Sequence, residues 1–94
     1  MIASLLLTPG DAERLLAQRI RDQRRSRGWS QEELAQRSGL GVATVSRMER
    51  SGRGQLASLI SIAGALGHLR DFEMLLAAAE PRSLDELRAS RGSR

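Results

Sequence analysis

Residues 31–50 read QEELAQRSGLGVATVSRMER, and this stretch decides how the rest of the chain is arranged. It predicts two short helices, from Gln31 to about Arg37 and from Val42 to about Arg50, joined by a turn at residues 38–41. Gly39 tolerates the positive φ that such a turn needs. Ala35 is small enough to let the two helices approach each other. We expect one small shared core from four apolar side chains: Leu34, Leu40, Val45 and Met48.

Two short helices joined in this way form a helix-turn-helix, whose second helix can lie in the major groove of DNA. Just before the stretch, Ser30 and Glu33 have the spacing of a capping box, so the first helix should begin at Gln31 with its N-terminal amides exposed. Such amides can bind a phosphate. Trp29 precedes the cap and is well placed to pack this helix against an earlier one.

Upstream, residues 8–11 predict the start of a long helix. Thr8 suits the N-cap, Pro9 the first helical position and Asp11 the positive end of the helix dipole. The helix should run to about Ser26 and stop at Gly28. Its core-facing residues are expected to be Ala12, Leu16, Ile20 and either Gln23 or Arg24, while the other arginines mostly fall on other faces: Arg14, Arg19, Arg21, Arg25 and Arg27.

Downstream, residues 51–54 predict a flexible basic loop. A further helix is expected from about Gln55 to Leu66, with an apolar face of Leu56, Leu59, Ile60, Ala63 and Leu66 and a stop at Gly67. The next helix is expected over residues 69–79, with a face of Leu69, Phe72, Leu75 or Leu76, and Ala79, before Pro81.

Both ends of the chain carry apolar residues outside this core. Residues 1–8 are expected to form an arm that contacts a partner subunit or lies on the core, and the alternative is a frayed terminus. After Pro81, a capping box at Ser83 and Glu86 predicts a short helix with Leu84 and Leu87. The expected organisation is therefore all-α: an arm (1–8), a five-helix domain (9–79) and a C-terminal extension (80–94).

Length and composition limit the classes of function. The chain has 94 residues, enough for one small domain, so dimerisation is a natural source of extra stability. It has no cysteine, which suits a reducing cytoplasm, and no run long enough for a membrane helix. His68 is the single histidine and is expected to be a polar helix-end residue, so no metal site and no cofactor are predicted. Nothing brings nucleophile and base together, so we do not expect an enzyme.

The charge is unevenly distributed. Residues 1–53 hold ten arginines and six acidic residues, whereas residues 54–94 hold five of each, so the whole net charge of +4 lies in the half with the helix-turn-helix. Every cation is arginine, which suits bidentate contacts to phosphate and guanine, although genome composition alone can also favour arginine. The basic half favours a polyanionic partner.

Over residues 12–69 the chain resembles the Cro/cI-type, XRE-like helix-turn-helix regulators, which have a lambda-repressor-like fold. The matching residues, in order, are Arg24, the run from Gly28 to Ala35, Gly39, the run from Thr44 to Arg50, and the helix that ends Ala65-Leu66-Gly67. The resemblance implies a homodimeric transcriptional regulator of double-stranded DNA, in most cases a repressor. It also implies that Arg24 and Glu49 form a salt bridge between the first and third helices.

The resemblance also implies which residues contact DNA. Gln31, helped by Ser30, would bind phosphate; Val42, Ala43, Thr44 and Arg47 would meet bases; and Ser46 would be a phosphate contact. Family members often have polar residues at positions 42 and 43, so here contact with thymine methyl groups is expected instead. The loop before Leu56 is shorter than usual and lacks a proline, but Arg50 and Arg53 remain candidates for phosphate contacts.

A second resemblance leads to an alternative function. Residues 71–76 and 82–87 are similar to a HipB-like subgroup that often pairs with a HipA-type kinase toxin. The chain would then be an antitoxin that binds a toxin protein and regulates its own operon. A helix-turn-helix that has lost DNA binding and only dimerises is the third possibility, and the polar residues at 31, 44, 46 and 47 argue against it.

Overall fold

The computed structural model describes residues 8–79, which form five α-helices and no strand. The helices are α1 (Pro9–Ser26), α2 (Gln31–Ser38), α3 (Val42–Ser51), α4 (Leu56–Ala65) and α5 (Arg70–Met74). The prediction of an all-α protein with five helices is therefore confirmed. The predicted N-terminal arm and the predicted helix after Pro81 lie outside the described residues.

The start of α1 follows its sequence signals. The hydroxyl of Thr8 accepts a hydrogen bond from the Asp11 amide at 3.1 Å, and the Thr8 amide donates to the Asp11 carboxylate at 3.0 Å. Pro9 occupies the first helical position. The helix ends at Ser26, and Gly28 adopts a φ of +71° beyond it. Both predicted ends of this helix are thus confirmed.

The turn between α2 and α3 also forms as predicted. Gly39 has a φ of +73°, and the Leu40 amide donates to the Ala35 carbonyl at 2.9 Å. At the start of α2 the Ser30 hydroxyl accepts from the Glu33 amide at 3.0 Å. The second half of the expected capping box is wrong, because the Glu33 carboxylate instead accepts from Arg37 at 2.8 Å.

One core is shared by α1, α2, α3 and α4. Leu34, Val45 and Ile62 have no exposed surface, and Trp29 packs against this cluster as predicted. α3 packs against α1 and α2, and α2 also packs against α4. The buried cluster consists of Ile20, Leu34, Ala35, Val45, Met48, Ile62 and Leu66, with Leu16, Trp29, Leu40, Leu59 and Ala65 packed around it.

Two predicted helix faces are partly wrong. In α1, Ala12 is exposed and Ala17 is buried in its place. In α4 the buried residues are Ser58 and Ile62, whereas Leu56 and Ile60 are exposed. The apolar residues of α4 surround most of the helix, so periodicity alone does not select a face. The packing of α4 against α2 selects it.

α5 is much shorter than expected. It ends at Met74 instead of Ala79, and none of its residues is buried. Of its predicted apolar face, Phe72 is half-buried, while Leu69 and Leu75 are exposed. The backbone after Met74 is not helical, because Leu75 is extended, with a ψ of 121°, and Leu76 adopts a φ of +59°. A short helix depends on packing of an apolar face, and Leu75 and Leu76 are 59% and 96% exposed.

The loop after α3 packs closely, which the prediction of a flexible loop did not anticipate. Gly52 has a φ of +71°, and a Cβ at this position would lie 2.0 Å from the backbone carbonyl oxygen of Glu13 in α1. At Gly54 a Cβ would lie 2.4 Å from the sulfur of Met48. Gly52 is therefore required for the close approach of α3 to α1, because the neighbouring atoms belong to the backbone, whereas a side chain at Gly54 would require the Met48 side chain to move.

Candidate nucleic-acid interface

α3 has one buried face and one face that is open to solvent. Val45, Met48 and Glu49 are buried. On the other side Val42, Ala43, Arg47 and Arg50 are exposed, and Thr44 and Ser46 are half-buried. The structure therefore brings together, on one helix, six of the residues that the sequence analysis assigned to DNA contact.

Two arginines of α3 have charges with no partner. Within residues 8–79, neither Arg47 nor Arg50 forms an ion pair or a side-chain hydrogen bond, whereas the guanidinium groups of many other arginines are bound to carboxylates or backbone carbonyls. No acidic residue lies in the first turn of α3. The open face of α3 therefore carries two positive charges that are available to an anionic ligand.

Glu49 anchors α3 to its support. Its carboxylate accepts two hydrogen bonds from Arg24 of α1, one from Nε at 2.6 Å and one from Nη2 at 2.9 Å. The same carboxylate accepts from the Gln31 amide of α2 at 3.1 Å. Arg24 also donates to the Trp29 carbonyl at 2.8 Å. The salt bridge implied by the resemblance is present, and it connects three helices at one buried point.

The positive charge of Arg24 is stable to changes in pH around neutrality. Hydrogen bonding to Glu49 and its negative charge raise the pKa of Arg24 further above its ordinary value, although burial opposes the shift. Arg24 is a cation below its pKa, so its pairing with Glu49 contributes fully to stability at any pH below the ordinary pKa of arginine. This contribution is lost only as the pH rises through the raised pKa of Arg24 in the folded protein. The Arg24 cation thus keeps α3 in place throughout the physiological range.

Gln31 is placed differently from the simplest expectation. Its side-chain amide donates to Glu49, and the Ser30 hydroxyl is used by the Glu33 amide. The first amides of α2 have no partner within their own helix, as at any helix N-terminus. A phosphate at this end of α2 would therefore be bound more readily by backbone N–H groups, with the half-buried Gln31 side chain held by Glu49.

Arg53 is exposed but not free. Its Nε lies 3.0 Å from the Glu13 carboxylate in α1, and its backbone amide donates to the Ser51 hydroxyl at 3.1 Å. This ion pair is on the surface, where such pairs are weak. Arg53 can therefore leave Glu13 for a phosphate at little cost.

Sequence reasoning missed two arginines that hold the helices together. Arg21 donates to the backbone carbonyl of Glu49 at the end of α3. Arg27 donates to the Leu66 carbonyl at the end of α4, with a distance of 2.6 Å. Both were expected to lie away from the core. The available signal was the spacing of Arg21, three residues before Arg24 and on the same side of α1.

Over residues 8–79 no group of three His, Cys, Asp or Glu side chains is placed to hold a metal ion. On the surface, Nδ1 of His68 lies 3.2 Å from a carboxylate oxygen of Asp71. Within the same residues, no helix has the length and apolar character needed to cross a membrane.

A comparison with protein families gives a match over most of this structure. The family model described as Helix-turn-helix matches residues 20–72, which is more than half of the chain. No curated protein and no solved structure matches the chain significantly. The match includes α2, the turn at Gly39 and α3, together with most of the core that supports them. The chain belongs to the helix-turn-helix family, which is a family of DNA-binding transcription regulators.

Proposed function

We propose that this protein is a sequence-specific transcriptional repressor that binds double-stranded DNA as a homodimer and inserts α3 into the major groove. The observation that carries the proposal is the asymmetry of α3. One face is buried and held by Glu49, while the opposite face presents Arg47 and Arg50, which have no side-chain partners among residues 8–79. A recognition helix needs both a fixed orientation and an open polar face.

The open face suggests how bases would be read. Arg47 is the side chain that can make a bidentate contact to guanine O6 and N7. Thr44 would add a hydrogen bond or a methyl contact nearby. Val42 is 44% exposed and Ala43 is exposed, so both are suited to contact with thymine methyl groups. Sequence-dependent DNA shape would contribute the remaining specificity.

Contacts to phosphate would supply most of the affinity. The candidates are the N-terminal amides of α2 at Gln31, the cap residue Ser30, and the side chains of Ser46, Arg50 and Arg53. Ser46 is half-buried and Arg50 is exposed. Such contacts release counter-ions from DNA, so binding should weaken steeply as salt rises.

A homodimer would place two copies of α3 in successive major grooves. In helix-turn-helix dimers the half-sites lie one helical turn apart, about 34 Å or 10 base pairs. The sequence also predicts stabilisation by dimerisation, because one small domain buries only a modest core. Occupation of a promoter by the dimer would make the protein a repressor, acting in the cytoplasm.

Selection of bound DNA from randomised duplexes tests this function without a known operator. Repeated binding by the full chain is expected to enrich one motif with two-fold symmetry and half-sites about 10 base pairs apart. The matched control is Arg47→Ala, which should enrich a degenerate base at one position of each half-site. If the wild-type chain enriches no motif, it is not a sequence-specific DNA binder.

The antitoxin alternative remains a prediction. Half of the sequence that favours it, residues 82–87, lies outside the described residues. Co-expression with the product of the neighbouring gene, followed by purification at high salt to remove DNA, would decide it. A neighbour that is not a toxin, or that does not co-purify, would remove this alternative and leave the repressor proposal unchanged.

A further inference from the structure

A groove of about 590 Å³ lies on the side of the molecule formed by α1, α4 and α5. Its walls include Leu16 and Ile20 of α1, Leu59 and Ala63 of α4, and Phe72 of α5. These side chains are apolar, and several belong to or contact the buried cluster. The groove is therefore an open extension of the core.

Charged groups surround this apolar floor. Arg19 and Asp22 contribute from α1, and His68 and Asp71 contribute from the start of α5. Arg19 has no ion-pair partner among residues 8–79. A carboxylate oxygen of Asp71, in contrast, lies 3.2 Å from Nδ1 of His68. An occupant that suits this groove would have a narrow apolar face flanked by charges of both signs.

We propose that the groove is occupied by the chain's own C-terminal segment, residues 83–88, with Leu84 and Leu87 directed into it. The segment has the required chemistry. Its two leucines are spaced three residues apart, so they share one face of a helix. Asp85 and Glu86 are suited to Arg19, and Arg88 is suited to Asp22 or Asp71.

The position of the segment in the chain also fits. Leu75 lines the groove, and the described residues end at Ala79, four residues later. Leu84 follows Leu75 by nine residues, and a chain of that length extends up to about 30 Å. The connection is therefore long enough for the segment to fold back onto the groove.

Disulfide cross-linking tests the position directly, because the natural chain has no cysteine. Arg19→Cys places a thiol at the edge of the groove, and it is combined in turn with Asp85→Cys, Glu86→Cys and Arg88→Cys. The matched control replaces Arg25, which is exposed on α1 but does not line the groove. Disulfides form only when Cα atoms approach within about 7 Å, so the reaction reports proximity.

We expect the cysteine at position 19 to form an intramolecular disulfide with a cysteine at one or more of positions 85, 86 and 88. A cysteine at position 25 should form at least ten-fold less of the corresponding disulfides. Equal cross-linking of both, or of neither, would overturn the proposal. Disulfide-linked dimers in dilute protein would assign the groove to a second copy and also overturn it. So would preferential cross-linking of Arg19→Cys to Leu5→Cys, which would assign the groove to the N-terminal residues.

A measurement of stability provides a second and independent test. Leu84→Asp combined with Leu87→Asp should lower Tm by about 5–10 °C, since two apolar side chains would leave the groove. The matched control, Ser90→Asp with Ser93→Asp, adds the same charge without removing a leucine and should leave Tm unchanged. Equal shifts in both variants would overturn the proposal. Neither test involves DNA, so the result is independent of the repressor function.

Discussion

At the scale of single residues, Arg47 and Arg50 should have different roles in DNA binding. They are three residues apart on α3, which is slightly less than one helical turn. Both are exposed and lack partners within the described residues. Arg47→Ala is expected to cost about 1–3 kcal/mol of binding free energy and to relax preference at one base pair, because a bidentate base contact is lost. Fluorescence anisotropy with the selected duplex and its single-base variants measures both effects.

Arg50→Gln is the matched comparison for that experiment. Because Arg50 is expected to contact phosphate, this substitution should weaken binding to all sequences equally. It should also reduce the slope of log K, the logarithm of the binding constant, against log salt by about one. Equal weakening on every duplex by Arg47→Ala would instead place Arg47 among the phosphate contacts. Relaxed base preference with Arg50→Gln would reverse the two assignments.

Glu49 should be the residue on which the stability of α3 most depends. It is 2% exposed, and its carboxylate binds both Arg24 and Gln31. Glu49→Gln would leave the Arg24 charge buried without a counter-ion, which costs about 3–5 kcal/mol for such pairs. Urea unfolding followed by the fluorescence of Trp29 measures the change. The control is Glu33→Gln, whose exposed pair with Arg37 should contribute below about 1 kcal/mol.

A double variant separates the two contributions of that pair. Arg24→Met with Glu49→Leu removes both charges together and should recover most of the stability lost in Glu49→Gln. If the double variant is as unstable as the single one, the loss comes from packing or from the Gln31 contact. A Glu49→Gln protein as stable as the wild type would show that the pair does not stabilise the fold.

At the scale of helices and turns, the two glycines that end α2 and α3 should differ in their tolerance of a side chain. Gly39 and Gly52 have nearly the same φ, +73° and +71°. A Cβ at Gly39 meets nothing within 4 Å, whereas at Gly52 it would lie 2.0 Å from the Glu13 carbonyl oxygen. Gly39→Ala should therefore cost about 1–2 kcal/mol from backbone strain alone.

Gly52→Ala should cost clearly more than Gly39→Ala, because α1 and α3 must also move apart. The comparison of their free energies of unfolding isolates the steric contribution, since the conformational penalty is nearly common to both. Gly52→Ala is also expected to weaken DNA binding in conditions where the protein stays folded, since the end of α3 would shift. Equal losses of stability in the two variants would show that α3 is not fixed at this point.

Local sequence signals predicted the helices where those signals were strong. Thr8, Pro9 and Asp11 fixed the start of α1, and Gly39 fixed the turn, because capping and positive φ depend on neighbouring residues only. The orientation of α4 was not predictable in this way. Apolar residues surround that helix, so the burial of Ile62 instead of Ile60 depends on its packing against α2.

The candidate site was predictable in part. The outward residues of α3 follow from its period, because Val45 and Met48 identify the buried face. The inward position of the Gln31 side chain was not predictable, since its hydrogen bond to Glu49 depends on the approach of three helices. Arg21 and Arg27 were missed for the same reason. Each binds a backbone carbonyl of another helix; the spacing of Arg21 and Arg24 places Arg21 on the side of α1 that faces α3, but it does not identify the carbonyl that Arg21 binds.

At the scale of the whole molecule, the positive charge and the open face of α3 lie in the same half of the chain. Residues 1–53 carry all of the net charge of +4. If several arginines and helix amides contact phosphate, log K should fall linearly with log salt, with a slope of about −0.9 for each neutralised phosphate. Anisotropy titrations between 50 and 200 mM salt, roughly the range in which such contacts are measured, give this slope. Binding that does not change with salt would exclude a phosphate-dominated interface.

The same titrations, combined with sedimentation, test the homodimer. A dimer on a symmetric site should bind one duplex with two chains, and a duplex with a single half-site should bind at least ten-fold more weakly. Moving the half-sites apart by five base pairs, about half a helical turn, should abolish this advantage because the two copies of α3 would face opposite sides of the duplex. Equal binding to all three duplexes would indicate that the chain acts on DNA as a monomer.

Methylation interference on the selected duplex tests most directly whether α3 reads the major groove. Methyl groups on guanine N7 lie in the major groove, and those on adenine N3 lie in the minor groove. We predict interference at guanine N7 in two clusters about 10 base pairs apart on one side of the duplex, and loss of one guanine from each cluster with Arg47→Ala. Interference confined to adenine N3, or an unchanged guanine pattern with Arg47→Ala, would contradict the assignment of α3 as the recognition helix.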